Sequence, residues 1–116
     1  MTKYRNIERK CLSGHKHDSI KEAGHCDVLL AMKQNSEIID YAVGTPIELI
    51  PPFMNSQGEK IRAMTYTPDF VVFREGVTEY VDVKSKVTKT QAFILKWKLL
   101  QYKYQNDKGY RFTIVC

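Results

Sequence analysis

Apolar residues run in short alternating or continuous blocks through the middle of the chain and recur at helical spacing on either side of it. Thr67-Pro68-Asp69-Phe70-Val71-Val72-Phe73 and Tyr80-Val81-Asp82-Val83-Lys84 are rich in β-branched and aromatic residues, with Gly76 between them. That pattern predicts a hairpin. Side chains alternate across a strand, so Asp82 and Lys84 fall on one face and Val81 and Val83 on the other. Glu37 to Val43 and Pro46 to Ile50 read as extended segments parted by Gly44-Thr45, and Pro51-Pro52 stops the second. Met54 to Lys60 reads as a polar hairpin tip around Gly58. Ile61 to Arg74 reads as one long strand that delivers Asp69, with Glu48 as an exposed residue on a strand opposite it. Tyr110 to Val115 is the last predicted strand, after the Asn106-Asp107-Lys108-Gly109 turn.

Two segments carry helical periodicity. Ser19 suits an N-cap, with Glu22 at capping-box spacing, and Ile20, Ala23, Cys26, Leu29 and Leu30 supply the apolar positions of a helix ending near Gln34-Asn35-Ser36. A second helix runs from about Lys89 to Gln105. At 100° per residue, Ala92, Phe93, Trp97, Leu99, Leu100 and Tyr104 form one apolar arc, while Gln91, Lys98, Gln101 and Gln105 face water. Lys89, Lys96 and Lys103 fall within the arc. A buried charge is costly, so Lys96 either reaches the carboxylates at the strand ends or snorkels with its head in solvent. Tyr66, Phe70, Phe73, Phe93 and Trp97 read as core.

The length of 116 residues suits one domain with one modest core, and the 43% hydrophobic content supports a globular fold. The formal charge of +5 favours an anionic partner, with nucleic acid the first candidate. The basic arm of residues 1–18 carries Lys3, Arg5, Arg9, Lys10 and Lys16, which either contact phosphates or simply form a mobile terminal arm. No apolar run is long enough to span a membrane, and the charged N-terminus lacks the apolar core of a signal peptide. The three cysteines, Cys11, Cys26 and Cys116, make no C-x-x-C pair, so a disulfide framework is not expected and a reducing cytosol fits. Cys11, His15, His17 and His25 match no structural zinc spacing, and the histidines read as solvated loop residues.

Two carboxylates and an ammonium on one hairpin form a set with chemistry. Asp69 and Asp82 can hold a hard cation such as Mg²⁺ through oxygen ligands, and Lys84 can orient a water or stabilise charge on a phosphate. The bland alternative is a solvated strand face with a weak ion pair. Pro68-Asp69 and Asp82-Val83-Lys84 also match the two halves of the PD-(D/E)xK signature. The chain resembles that nuclease superfamily from about Tyr4 to Tyr104. It is most similar to small phage-encoded members, whose N-terminal helix opens with a segment like His17-Asp18-Ser19-Ile20-Lys21-Glu22-Ala23.

The resemblance implies an α/β fold with a restriction-endonuclease-like core, a mixed β-sheet flanked by helices. It implies a Mg²⁺- or Mn²⁺-dependent endodeoxyribonuclease acting on DNA in phage recombination, replication or packaging, on branched DNA such as a Holliday junction, in the cytoplasm of a phage-infected or prophage-bearing bacterium. Glu22, Asp69 and Asp82 would hold the metal. Lys84 would act on the water and the phosphate; from the helical wheel and not from the resemblance, Lys96 would add a second cation if it reaches the carboxylates. Local physics gives Glu22 a competing role as the capping-box acid. Lys3, Arg5, Lys16, Lys86, Lys89 and Lys98 would contact the nucleic acid. Paired cuts on branched DNA need two active sites, which a chain this small would supply as a twofold homodimer. The alternative is a DNA-binding module that keeps the fold without the catalysis.

Overall fold

The computed structural model describes residues 9–12, 14, 16–17, 20–84 and 90–115, with the backbone alone for residues 9, 10, 16 and 17. A four-stranded sheet forms the centre: β3 (Asp40–Val43), β8 (Phe70–Arg74), β9 (Val77–Val83) and β10 (Tyr110–Val115), in the order β10-β9-β8-β3. β3–β8 and β8–β9 are antiparallel and β9–β10 is parallel, so the sheet is mixed. The β8–β9 hairpin turns at Gly76, whose φ of 72° suits a residue without a Cβ. The parallel pair needs a crossover, and helix α2 (Gln91–Lys103) lies within it.

Strand alternation sorts the buried residues onto two faces. Helix α1 (Ile20–Gln34) packs Cys26 and Leu29 against Phe70, Val72, Val81 and Val83. Helix α2 packs Phe93, Trp97 and Leu100 against Val71 and Tyr80. Tyr80, Tyr104, Tyr110 and Phe112 stack beside that second cluster, with the Tyr104 and Tyr110 ring centroids 3.9 Å apart. The result is an α/β protein with a mixed sheet between two helices.

The remaining strands form small outlying pairs. β1 (Arg9–Lys10) pairs with β2 (Lys16–His17), β4 (Ile47–Ile50) with β7 (Met64–Tyr66), and β5 (Phe53–Met54) with β6 (Lys60–Ile61). The β5–β6 hairpin turns through Gly58 as its sequence predicts, at φ 82°.

Three local expectations change. Ile61 to Arg74 is not one strand: β7 joins β4, β8 joins the central sheet, and Thr67-Pro68-Asp69 separates them. Pro68 has no N–H for a ladder and is buried at the break. Phe73 is not core; it is 38% exposed, whereas Phe70 on the same strand is fully buried. His25 is no loop residue: it lies on α1, half-buried, with its ring edge-on to Phe70 at 5.3 Å.

Helix α2 begins at a cap. Thr90 is extended, and its side-chain oxygen accepts a hydrogen bond from the Phe93 N–H at 3.1 Å. Thr90→Ala is expected to destabilise the protein by about 1 kcal/mol, a drop in Tm of about 4 °C by thermal melting.

Candidate active site

Antiparallel register places the two acids opposite each other. Phe70 faces Val81, so the next position outward sets Asp69, just before β8, against Asp82 in β9. Each acid binds a backbone amide beside the other. The Asp69 N–H donates to Asp82 Oδ1 at 2.9 Å, and the Val83 N–H donates to Asp69 Oδ2 at 2.8 Å. This clasp fixes both carboxylates at the place where Pro68 ends the ladder.

Asp82 lies on the α2 face and is 1% exposed. Its Oδ2 is buried and has no hydrogen-bond partner among the described residues. Burial pushes its carboxyl up to about 6, against the opposing pull of the Asp69 backbone N–H and the Lys84 charge. A buried oxygen without a donor is costly and uncommon. Carboxylate oxygens are the donor type that a hard cation takes, and here one stands beside a second carboxylate.

Lys84 follows β9 directly. Its N–H donates to the Val115 carbonyl at 2.8 Å, which holds the backbone along the parallel strand. Its Nζ sits 4.9 Å from the centroid of the Phe93 ring, on the α2 side where Asp82 also lies. Helix α1 reaches the same strand end, where Lys21 Nζ donates to the Lys84 carbonyl at 3.4 Å.

Glu22 is therefore one residue from a direct contact with the strand end, half-buried in the first turn of α1. Among the described residues, Glu22, Asp69 and Asp82 do not close into a three-carboxylate ligand cluster. The structure unites Asp69 with Asp82 and sets Lys84 beside them. It brings the helix turn of Glu22 to the same end of the sheet.

Lys96 is half-buried on α2 and borders an apolar groove of about 410 Å³ with Met64, Ala92, Leu95, Lys98 and Leu99; neither carboxylate lines it. Lys103, placed within the apolar arc by the helical wheel, is exposed, and its Nζ donates to the Glu48 carbonyl at 2.6 Å. Lys98 is exposed on α2, as a phosphate contact requires. Lys3, Arg5, Lys86 and Lys89 lie outside the described residues, as does the side chain of Lys16.

One neighbour escaped the sequence reading. His25 stands three residues after Glu22 on α1; burial lowers its pKa, against the opposing charges of Glu79 and Asp69. The i, i+3 spacing from Glu22 was the signal, since such residues share a helix face. Glu79, buried on that face, is fully engaged: it pairs with Arg74 at 3.0 Å and accepts the Thr113 hydroxyl.

The family model for proteins of unknown function, DUF1064, matches residues 1–115. The chain belongs to the DUF1064 family. The match covers every residue of the candidate site in this DUF1064 protein, from Glu22 through Lys84. No curated protein and no solved structure matches the chain. Among the described residues, no helix of this DUF1064 protein is long and apolar enough to cross a membrane.

Proposed function

We propose that this protein is a metal-dependent DNA endonuclease of the PD-(D/E)xK type, with a restriction-endonuclease-like core. One observation carries the reading. Asp69 and Asp82 face each other across adjacent strand ends, and Asp82 keeps a buried oxygen, without a partner among the described residues, where a divalent cation would take it. A hydrogen-bonded surface pair would leave no such oxygen.

The donor set suits a hard ion. Asp82 Oδ2 would bind Mg²⁺ or Mn²⁺ directly, with Asp69 beside it, and Glu22 would complete the acidic set from the helix side, directly or through water. When bound, the cation lowers the pKa of a coordinated water and polarises the phosphate. The protein's own part is positional. The amide clasp holds both acids before substrate arrives, and Lys84 supplies a positive charge where charge builds on the phosphate. The Phe93 ring and the Val115 carbonyl hold that lysine at the strand end. The +5 charge favours DNA as the substrate. Branched DNA cut in pairs would call for a homodimer.

The test is nicking of supercoiled plasmid and cleavage of linear, flapped and four-way DNA with Mg²⁺ or Mn²⁺. Wild-type protein should cut in a metal-dependent way, and Lys84→Ala should lower the rate at least tenfold while DNA retention at moderate salt persists. Salt-sensitive binding with no cleavage on any substrate would leave a DNA-binding module and remove the enzyme.

A further inference from the structure

Cys11 and Cys26 are 15 positions apart, and no motif joins them. The fold joins them instead. Cys11 follows β1 in the N-terminal hairpin and Cys26 occupies the second turn of α1; they are 5% and 0% exposed. Their sulfurs lie 2.7 Å apart, inside the packing distance of unbonded sulfur atoms and beyond the ~2.05 Å of a disulfide bond. The neighbouring residues hold the same two segments together: the Leu12 N–H donates to Asp27 Oδ1 at 2.6 Å. The Tyr41 hydroxyl lies 3.7 Å from Cys26 Sγ.

We propose that Cys11 and Cys26 are a disulfide-forming pair that fastens the β1–β2 hairpin to helix α1. Both cysteines stand as thiols in the structure, as the sequence leads one to expect, and the proposal stands independently of the nuclease reading. The oxidant is a low-molecular-weight disulfide such as oxidised glutathione. The Cys11 thiolate, on the terminal hairpin, attacks one glutathione sulfur; that S–S bond breaks and one glutathione leaves as its thiolate, which takes up a proton. The Cys26 thiolate then attacks Cys11 Sγ and expels the second glutathione. Two protein thiols lose two hydrogens, one oxidised glutathione becomes two reduced ones, and nothing of the oxidant stays bound.

The bond closes a loop of 15 residues and so restricts the unfolded chain. It also anchors the basic hairpin one helical turn from Glu22, which shares a helix face with Cys26 at i, i+4.

The experiment uses the full chain carrying Cys116→Ser, with wild-type protein in parallel. Each is incubated with oxidised glutathione, alkylated in denaturant, and analysed by intact mass and tryptic peptide mapping. The expected product is a monomer lighter by two hydrogens, without alkyl or glutathione groups on Cys11 and Cys26, whose cross-linked peptide joins those residues. Its Tm should rise by about 10 °C and return on reduction. The wild-type map should show the same pairing. Two alkylated cysteines, stable glutathione adducts on both, or a bond running between chains would overturn the proposal.

Discussion

Asp82→Asn is expected to abolish metal-dependent cleavage and, at the same time, to raise the melting temperature at neutral pH. Both effects come from one buried oxygen. In the folded protein the Asp82 carboxyl titrates near 6, against an ordinary value of 3.8, because burial penalises its charge. Between those values the folded state holds a proton that the unfolded state releases. The acid thus stabilises the fold below about pH 4, and that stability is lost as pH rises through about 6. The shift of roughly two pKa units corresponds to about 3 kcal/mol against the folded state at neutral pH. Asparagine removes the charge and keeps an acceptor for the Asp69 N–H, but it places an amide donor where Oδ2 had no partner. That donor costs about 1–3 kcal/mol, so a net gain of about 1 kcal/mol, or ~4 °C, is expected. Cleavage should fall at least a thousandfold, since losing a Lewis-acid ligand removes several kcal/mol of transition-state stabilisation at about 1.4 kcal/mol per tenfold.

The pH series separates this acid from its neighbour. Burial lowers the His25 pKa, so His25 opposes stability as pH falls below its ordinary value of 6.5, with the opposite sign to Asp82. The difference between wild-type and Asp82→Asn melting curves cancels the histidine. Its advantage for the variant should shrink from pH 7 toward pH 4. Added Mg²⁺ should raise the Tm of wild type alone. A variant less stable than wild type at pH 7, with a flat difference curve, would show that Asp82 is not a strained, charge-bearing acid.

Phe70→Ala should produce the largest loss of stability. Phe70 is fully buried, abuts His25, and directly follows Asp69. Truncating such a ring costs about 3–5 kcal/mol, or a Tm drop of about 12–20 °C. A domain of this size holds only about 5–15 kcal/mol in total. Phe73→Ala, on the same strand but 38% exposed, is the control and should cost about 1 kcal/mol or less. Equal losses by chemical denaturation would contradict the assignment of β8's inner and outer positions.

The elements legible in advance were those governed by local rules. The β8–β9 hairpin, the β5–β6 turn, both helices and the final strand follow from periodicity, β-branching and turn glycines within a few residues. The pairing of Asp69 with Asp82 was also legible, because a tight antiparallel hairpin makes register a local matter. The helical wheel identified Phe93, Trp97 and Leu100 as buried but could not aim Lys96. A periodicity ranks the faces of a helix without saying whether an open groove meets one edge.

By itself, then, the sequence determined an α/β chain with two acids and a lysine at one hairpin end, because those relations span short stretches of backbone. Only the tertiary structure decided which oxygen of Asp82 is left without a donor among the described residues, that His25 sits against Phe70, that residues 61–74 divide among three sheets, and that Cys11 meets Cys26. Each of these depends on how distant segments shield one another from water and share space, and no repeat or spacing along the chain records that.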